Sequence, residues 1–389
     1  MSAAPPNYVL RMWVFFAGYF IFGGIVLPFF PVWLQARGLS DIEIAQVIAI
    51  PSLVRVFLTP LAGIYADRAP NRRFAAITFT LPAVFIFLLA YPAMGFWPLL
   101  ITTGVPFMIW GLALPPAEAL ALTGVRRYGL DYGRMRMGGS VAFIVANLGS
   151  GALLGIFQTD AIFFFILFAL ASSALVSFVL PVTPPAVRAL DDAAKPDTRP
   201  SRQVLGNRAF LALLVAVSLV QASHAVLYSF GSIEWHALGF SSFQIGAFWA
   251  FSLACEIALF IWAKPMLARF GAYGLLLIGA VATILRWALF PWTPAFGFFG
   301  FAFTQALHGL TFGATYLGTQ QIIARMVPER MTASAQGVFA MIAGGLMAIA
   351  TSLAGPIYHL YGIYGFLFMV PVALTGLLVL IAVRRYATS

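Results

Sequence analysis

The sequence predicts an all-α integral membrane protein whose twelve transmembrane helices form two pseudo-symmetric six-helix bundles, and three observations lead there. Of 389 residues, 62% are apolar and 9% charged, with a mean hydropathy of +0.95. No water-soluble chain of this length needs that balance, so lipid is the expected solvent for most of the surface. A hydrocarbon layer of about 30 Å is crossed by about 20 mainly apolar helical residues, and runs of that length recur from end to end. The one long polar segment, 181–207, separates six such runs from six others.

In order, the expected spans are 12–34, 42–66, 74–93, 97–122, 134–157 and 161–180, then 208–233, 241–263, 273–291, 296–324, 331–358 and 362–383. The first follows Arg11 and outlasts the apolar stretch of a signal peptide, so it is read as a retained helix. Segment 181–207 is rich in proline and carries three aspartates and several basic residues, the composition of a flexible linker. The expected domains are therefore an N-terminal bundle (1–180), a cytosolic interhalf loop (181–207) and a C-terminal bundle (208–389).

The net charge of +10 is spread over short clusters between apolar runs, which argues against a nucleic-acid surface and for membrane topology. With both termini in the cytoplasm of a cell whose inner membrane holds the chain, 18 of the 22 Lys and Arg residues fall on the cytosolic side. Arg37 alone falls on the other, and Arg55, Arg136 and Arg286 fall inside the membrane. Cys255 is the single cysteine, so no disulfide or thiolate metal site is expected. The four histidines, His224, His236, His308 and His359, form no His-x-x-x-His pair. Neither a metal, nor a cofactor, nor enzymatic activity is expected.

An ionisable group at a helix centre costs about 2.5 to 3.5 kcal/mol on insertion scales, so those in the spans should face the bundle interior. Glu118 in the fourth span and Arg136 in the fifth make the leading pair, because an arginine fork can hold a carboxylate or trade it for a substrate oxygen. The alternative is that Arg136 belongs to the cytosolic cluster with Arg134. Helical spacing places Ser140, Phe143 and Asn147 on the face of Arg136. It aligns Gln221, His224 and Tyr228 on the seventh span, and Thr304, His308, Thr311 and Thr315 on the tenth. Such stripes line a ligand path or make interhelical hydrogen bonds of about 1 kcal/mol each. Glu256, Arg286 and His308 are candidates for a charge cluster in the second half. Arg55 is either a substrate counter-ion or a structural contact to a carbonyl.

The loop Gly63-Ile-Tyr-Ala-Asp67-Arg68-Ala-Pro-Asn-Arg72-Arg73 resembles the Gly-x-x-x-Asp-Arg/Lys loop of the major facilitator superfamily, and the segment from Pro328-Glu-Arg330 through Ala335-Gln-Gly337 to Gly355-Pro-Ile-Tyr358 and Gly362 resembles its eleventh-helix region. Pro116-Ala-Glu118 and Leu130-Asp-Tyr-Gly-Arg134-Met-Arg136-Met-Gly-Gly-Ser140-Val-Ala-Phe143 are similar to the fourth and fifth helices of lactose permease and its relatives. Their wording, with Val220-Gln-Ala-Ser-His224-Ala-Val-Leu-Tyr228 and Glu256, looks nearer to the phenylpropionate permease branch.

Two departures bear on substrate and coupling. Phe143 stands where the sugar permeases carry a tryptophan, which weakens a galactoside reading. Of the lysine, histidine and glutamate that those permeases place on the tenth helix, His308 alone is matched.

The resemblance implies the major facilitator fold and secondary transport by alternating access. Asp67, with Arg68, Arg72 and Arg73, is then expected to gate the cytosolic side. Counting both interior carboxylates as ionised, the interior is cationic by one charge, which with Phe143, Trp110, Tyr228 and Trp249 fits an aromatic carboxylate. A sugar or nucleoside symporter and a drug exporter are the alternatives. Protons are the expected coupling ion, with Glu118, Glu256, Arg286 and His308 as candidates, and the expected working form is a monomer.

Overall fold

The computed structural model describes residues 4–183, 206–327 and 332–384. Most of segment 181–207 lies outside them, as do Pro328, Glu329 and Arg330; the Asp67 side chain also lies outside the described part.

The apolar runs become helices whose starts are set by capping side chains. α1 (Tyr8–Ala36) leads through a short turn to α2 (Asp41–Arg68). Ser40 opens α2 with a capping box: its hydroxyl accepts from the Glu43 amide, and the Glu43 carboxylate accepts from the Ser40 amide at 2.9 Å. Asn71 caps α3 (Arg72–Leu88) through the Phe74 amide. The fourth expected span is two helices, α4 (Phe96–Gly111) and α5 (Leu114–Tyr128), because Pro115 and Pro116 begin a new helix instead of continuing the old one. Asp131 caps α6 (Tyr132–Leu154), and α7 (Ala161–Ser177) follows.

The seventh expected span is also divided, into α8 (Arg208–Ala222) and α9 (Ala225–Ala237). Ser223 stands at the break, where its hydroxyl accepts the Trp287 indole N–H at 2.9 Å. Ser241 and Gln244 open α10 (Ser242–Ile261) with a reciprocal pair of bonds like that of Ser40 and Glu43. The second and eighth spans thus begin with the same device, a local sign of the repeated design. α11 (Ala263–Leu289) bends at Gly271, whose φ of 68° favours glycine. The tenth span is α12 (Gly297–Ala306), a π-helical turn (Gly309–Ala314) and α13 (Thr315–Met326). α14 (Thr332–Tyr361) and α15 (Met369–Ala382) complete the chain.

The chain divides into two compact units, Met1–Leu190 with Trp235–Ala250, and Asp191–Glu234 with Phe251–Ser389. In the first, α1 packs along α6 and α7, and α3 along α4. Glycines let α10 join this unit: a Cβ at Gly151 would lie 2.5 Å from the Ser242 carbonyl oxygen, and Gly246 meets the Asn147 carbonyl as closely. In the second, α8 packs on α14 and α15, and α11 on α13. By length and composition, eight helical stretches among the described residues are apolar enough to cross a membrane, and two of these, 263–326 and 335–382, are long enough to cross twice. With α3 and α7 they make up the twelve spans. Large exposed side chains such as Phe57, Trp97, Ile156 and Phe299 give the surface its apolar character.

Candidate functional site

In the first unit, Glu118 on α5 and Arg136 on α6 meet, with Nε to Oε1 at 3.4 Å. Both side chains keep contact with solvent, at 29% exposure for the arginine and 28% for the glutamate. The Tyr132 hydroxyl donates to Glu118 Oε2 at 2.8 Å, so the carboxylate is held from two sides. The guanidinium carbon of Arg136 stands 3.9 Å from the Phe20 ring centre and 5.1 Å from that of Phe16. A Cβ at Gly139 would come within 2.5 Å of Arg136 Nη1 and 2.8 Å of the Phe20 ring, so only glycine leaves this seat open. The result is a cation held by one carboxylate and two aromatic faces.

Of the other residues on that helix face, Ser140 and Phe143 are half-buried, and the Phe143 ring lies against Gly23 of α1. Asn147 is fully buried, and its amide donates to the Phe143 carbonyl of its own helix at 2.8 Å, leaving Oδ1 without a partner among the described residues. Around the expected gate, Arg68 is exposed. Arg72 donates to the Ala119 carbonyl and the Thr123 hydroxyl, which ties α3 to α5.

In the second unit, Arg286 on α11 is fully buried and serves three acceptors. Nη2 donates to Gln305 Oε1 at 2.8 Å, while Nη1 reaches Thr311 Oγ1 and His308 Nδ1 at 3.2 Å each. Since a guanidinium only donates, His308 Nδ1 accepts, and its ring proton is on Nε2. That nitrogen faces Glu256 Oε2 of α10 at 3.5 Å. The same logic fixes His224: Nδ1 faces the Gln221 carbonyl at 3.1 Å and must donate, so Nε2 accepts from Thr311 at 3.0 Å. Hydrogen bonds link His308, Arg286, Thr311 and His224 into one chain, donor to acceptor, and Glu256 stands at its His308 end. Tyr228 lies beside His224, with ring centres 5.8 Å apart.

The wide π turn, which starts right after His308, brings Thr311 into register with Arg286 and His224. Thr304 and Thr315, from the same stripe, instead turn their hydroxyls back to carbonyls of their own helix, at 2.9 and 2.8 Å. Three buried donors here, Arg286 Nε, Gln305 Nε2 and Gln221 Nε2, have no acceptor among the described residues. The cluster is therefore richer in donors than in acceptors.

The model of the MFS_1 like family matches residues 9–369. The chain belongs to that family. A relative in Escherichia coli (strain K12), named as a probable 3-phenylpropionic acid transporter, is 30% identical over 369 residues, covering 92% of this chain and 93% of its own. A maltose permease of Geobacillus stearothermophilus is 27% identical, over 88% of this chain and 85% of its own. A crystal structure of a mutant of the nucleoside transporter NupG has the same fold, with a TM-score of 0.82 at 18% identity over 97% of this chain and 99% of that one. As an MFS_1 like protein the chain is a multi-pass membrane transporter of the major facilitator type and not an enzyme, and it handles a small-molecule substrate.

Proposed function

We propose that the chain is a proton-coupled secondary transporter of a small aromatic carboxylate, working by alternating access as a monomer in the inner membrane with both termini cytoplasmic. The observation that carries the substrate class is a charge imbalance in the spans. Among the described residues three guanidinium groups, Arg55, Arg136 and Arg286, accompany two carboxylates, Glu118 and Glu256. Of the three, Arg136 alone has a carboxylate within 4.0 Å. An incoming carboxylate supplies the missing negative charge. The 30% identical relative is named for such an acid, which supports the same class.

At Arg136, binding is an exchange of partners. The guanidinium releases Glu118 and takes the substrate carboxylate, while Tyr132 keeps hold of Glu118. The Glu256–His308–Arg286 chain carries the coupled proton, Glu256 being its one carboxyl group. Asp67 gates the cytosolic side, and the two bundles, 1–180 and 208–389, are the moving bodies. The second reading, a neutral sugar or nucleoside, draws on the same pair, since Glu118 can accept from a hydroxyl while Arg136 donates to one.

Uptake of labelled 3-phenylpropionate, maltose and uridine into energised membrane vesicles decides between them. The aromatic acid should accumulate, and collapse of the proton gradient should abolish the accumulation. Accumulation of the sugar or nucleoside instead would overturn the substrate class.

A further inference from the structure

Arg55 takes no part in either cluster. It lines a cavity of about 150 Å³ in the first unit, walled by residues of α1, α2 and α4 and open on one side. Among the described residues no side chain or carbonyl accepts from its guanidinium, although its own backbone carbonyl accepts from Thr59. Four aromatic rings line the cavity, together with aliphatic side chains such as Val26, Val47 and Met108. Phe22 meets Phe107 edge-on at 4.7 Å and Trp110 at 4.0 Å, and Phe30 meets Phe107 at 4.8 Å. These rings are pinned from behind: Trp110 stacks on Tyr19 at 4.1 Å and donates to Ser173.

The cation has a built seat. α4 ends at Gly111, and a Cβ there would lie 2.5 Å from Arg55 Nη1 and 2.6 Å from Cδ, so any larger residue would push the guanidinium away. The C-terminal end of α4 presents partial negative charge, which favours a cation there without a carboxylate to compete for it. This parallels Arg136 on Gly139, with one difference: Arg136 has Glu118, and Arg55 has no counterpart.

We propose that this cavity is a binding site for an aryl monocarboxylate, with the ring among Phe22, Phe30, Phe107 and Trp110 and the carboxylate on Arg55. An apolar cavity of about 150 Å³ accepts one benzene ring, which matches the space here to a single aryl group. A free guanidinium at the rim supplies the bidentate partner for a carboxylate on a short spacer. Tyr19 joins the two places: its ring stacks on Trp110 of the cavity wall and meets the edge of Phe20, which carries the Arg136 guanidinium, so the cavity and the exchange pair are near neighbours. A substrate bound first at Arg55 need not displace an internal carboxylate. It then advances to Arg136, where it must. This ordering rests on the aromatic-carboxylate reading above, whereas the site itself is testable apart from transport.

The test uses the full chain in lipid nanodiscs, with the single native cysteine removed as Cys255→Ser and a reporter introduced as Ser52→Cys in the cavity wall. 3-Phenylpropionate should slow alkylation of the reporter by N-ethylmaleimide by about tenfold, the scale of one charge-assisted anchor, while 3-phenylpropionamide should leave it unchanged. Adding Arg55→Gln should remove the protection, and Arg55→Lys should restore part of it. Gly111→Ala, which crowds the guanidinium without removing it, should raise the concentration needed for protection several-fold. Equal protection by acid and amide, or protection that survives Arg55→Gln, overturns the site. Absence of protection while 3-phenylpropionate is still taken up overturns the site and leaves the transport reading standing. Protection without uptake does the reverse.

Discussion

Arg136 in the first unit and Arg286 in the second are both guanidinium groups on apolar helices, yet different chemistry keeps them there. Arg136 is compensated by a carboxylate, lies against two phenyl faces and stays partly open to solvent. Arg286 is sealed and bonded to an amide, a hydroxyl and an imidazole, none of which carries a negative charge in the tautomers its bonds require. An ion pair in contact with solvent can open for an incoming anion at modest cost, because water stabilises both halves as they part. A buried cation with three fixed acceptors cannot move without leaving them unpaired. The first arrangement suits exchange of ligands and the second suits a fixed field that holds His308 and Glu256 in register.

The largest expected effect is at Arg286. Arg286→Gln strips donors from Gln305, Thr311 and His308 together, and an unpaired buried acceptor costs about 1 to 3 kcal/mol. Uptake should fall by about a hundredfold or more, with a lower thermal midpoint. Arg286→Lys should not rescue, since a single ammonium cannot reproduce the planar fork that serves two separate directions. Substantial uptake by the lysine variant would break the contrast.

Next comes Arg136. Loss of one partner from a fully buried pair costs about 3 to 5 kcal/mol. With nearly a third of each side chain exposed, a smaller figure applies, so Arg136→Ala should lower 3-phenylpropionate affinity by about ten- to a hundredfold. Arg136→Lys should recover part of it, because the contact to Glu118 runs through a single nitrogen. Lysine thus separates the two sites: partial rescue at 136 and none at 286. Glu118→Gln should leave acid affinity intact or tighter, having removed the competitor, whereas a neutral sugar would lose its acceptor. Isothermal titration with the acid and with maltose measures both.

The twelve apolar runs were legible in the sequence because lipid demands them, and so were the intramembrane charges, because each is expensive. The breaks at 112–113 and 223–224 and the π turn after His308 were not, since the apolar pattern continues across them without a change of period. Pro115 and Pro116 were the available signal for the first. Thr311 stood on a stripe with Thr304 and Thr315, yet it alone of the three joins the network, a distinction made by the local backbone. Tyr132 lies one helical turn before Arg136 and could have been found by that spacing. Phe16 and Phe20 could not: among 38 phenylalanines, no pattern marks two as seats for a cation.

Coupling should divide along the same line. Glu256→Gln removes the carboxyl group at the end of the Arg286 chain while leaving the Arg136–Glu118 pair untouched. Exchange of labelled for unlabelled 3-phenylpropionate across the membrane should persist within a few fold, while uphill accumulation driven by a proton gradient should disappear. If Glu118→Gln instead abolishes accumulation and Glu256→Gln does not, the proton is carried in the first unit and the two sites have been assigned the wrong way round.

The smallest effect tests whether Glu118 is tethered during the exchange. Tyr132 donates to Glu118 Oε2, while Arg136 meets Oε1, so the two donors use different oxygens and can act independently. When the guanidinium leaves, the tyrosine bond stays and satisfies part of the carboxylate. Tyr132→Phe removes that support, and Glu118 then holds Arg136 more strongly against an incoming acid. A hydrogen bond to a charged group is worth about 1.5 to 3 kcal/mol when buried and less at this exposure, so acid affinity should fall by about three- to tenfold. The decisive comparison is a double-mutant cycle. In a Glu118→Gln background no anion remains to be tethered, and Tyr132→Phe should change acid affinity by less than about twofold. Equal losses in both backgrounds would mean that Tyr132 acts on the substrate or on α6 directly, and the partner-exchange account of Arg136 would lose the contact that lets its carboxylate stand alone.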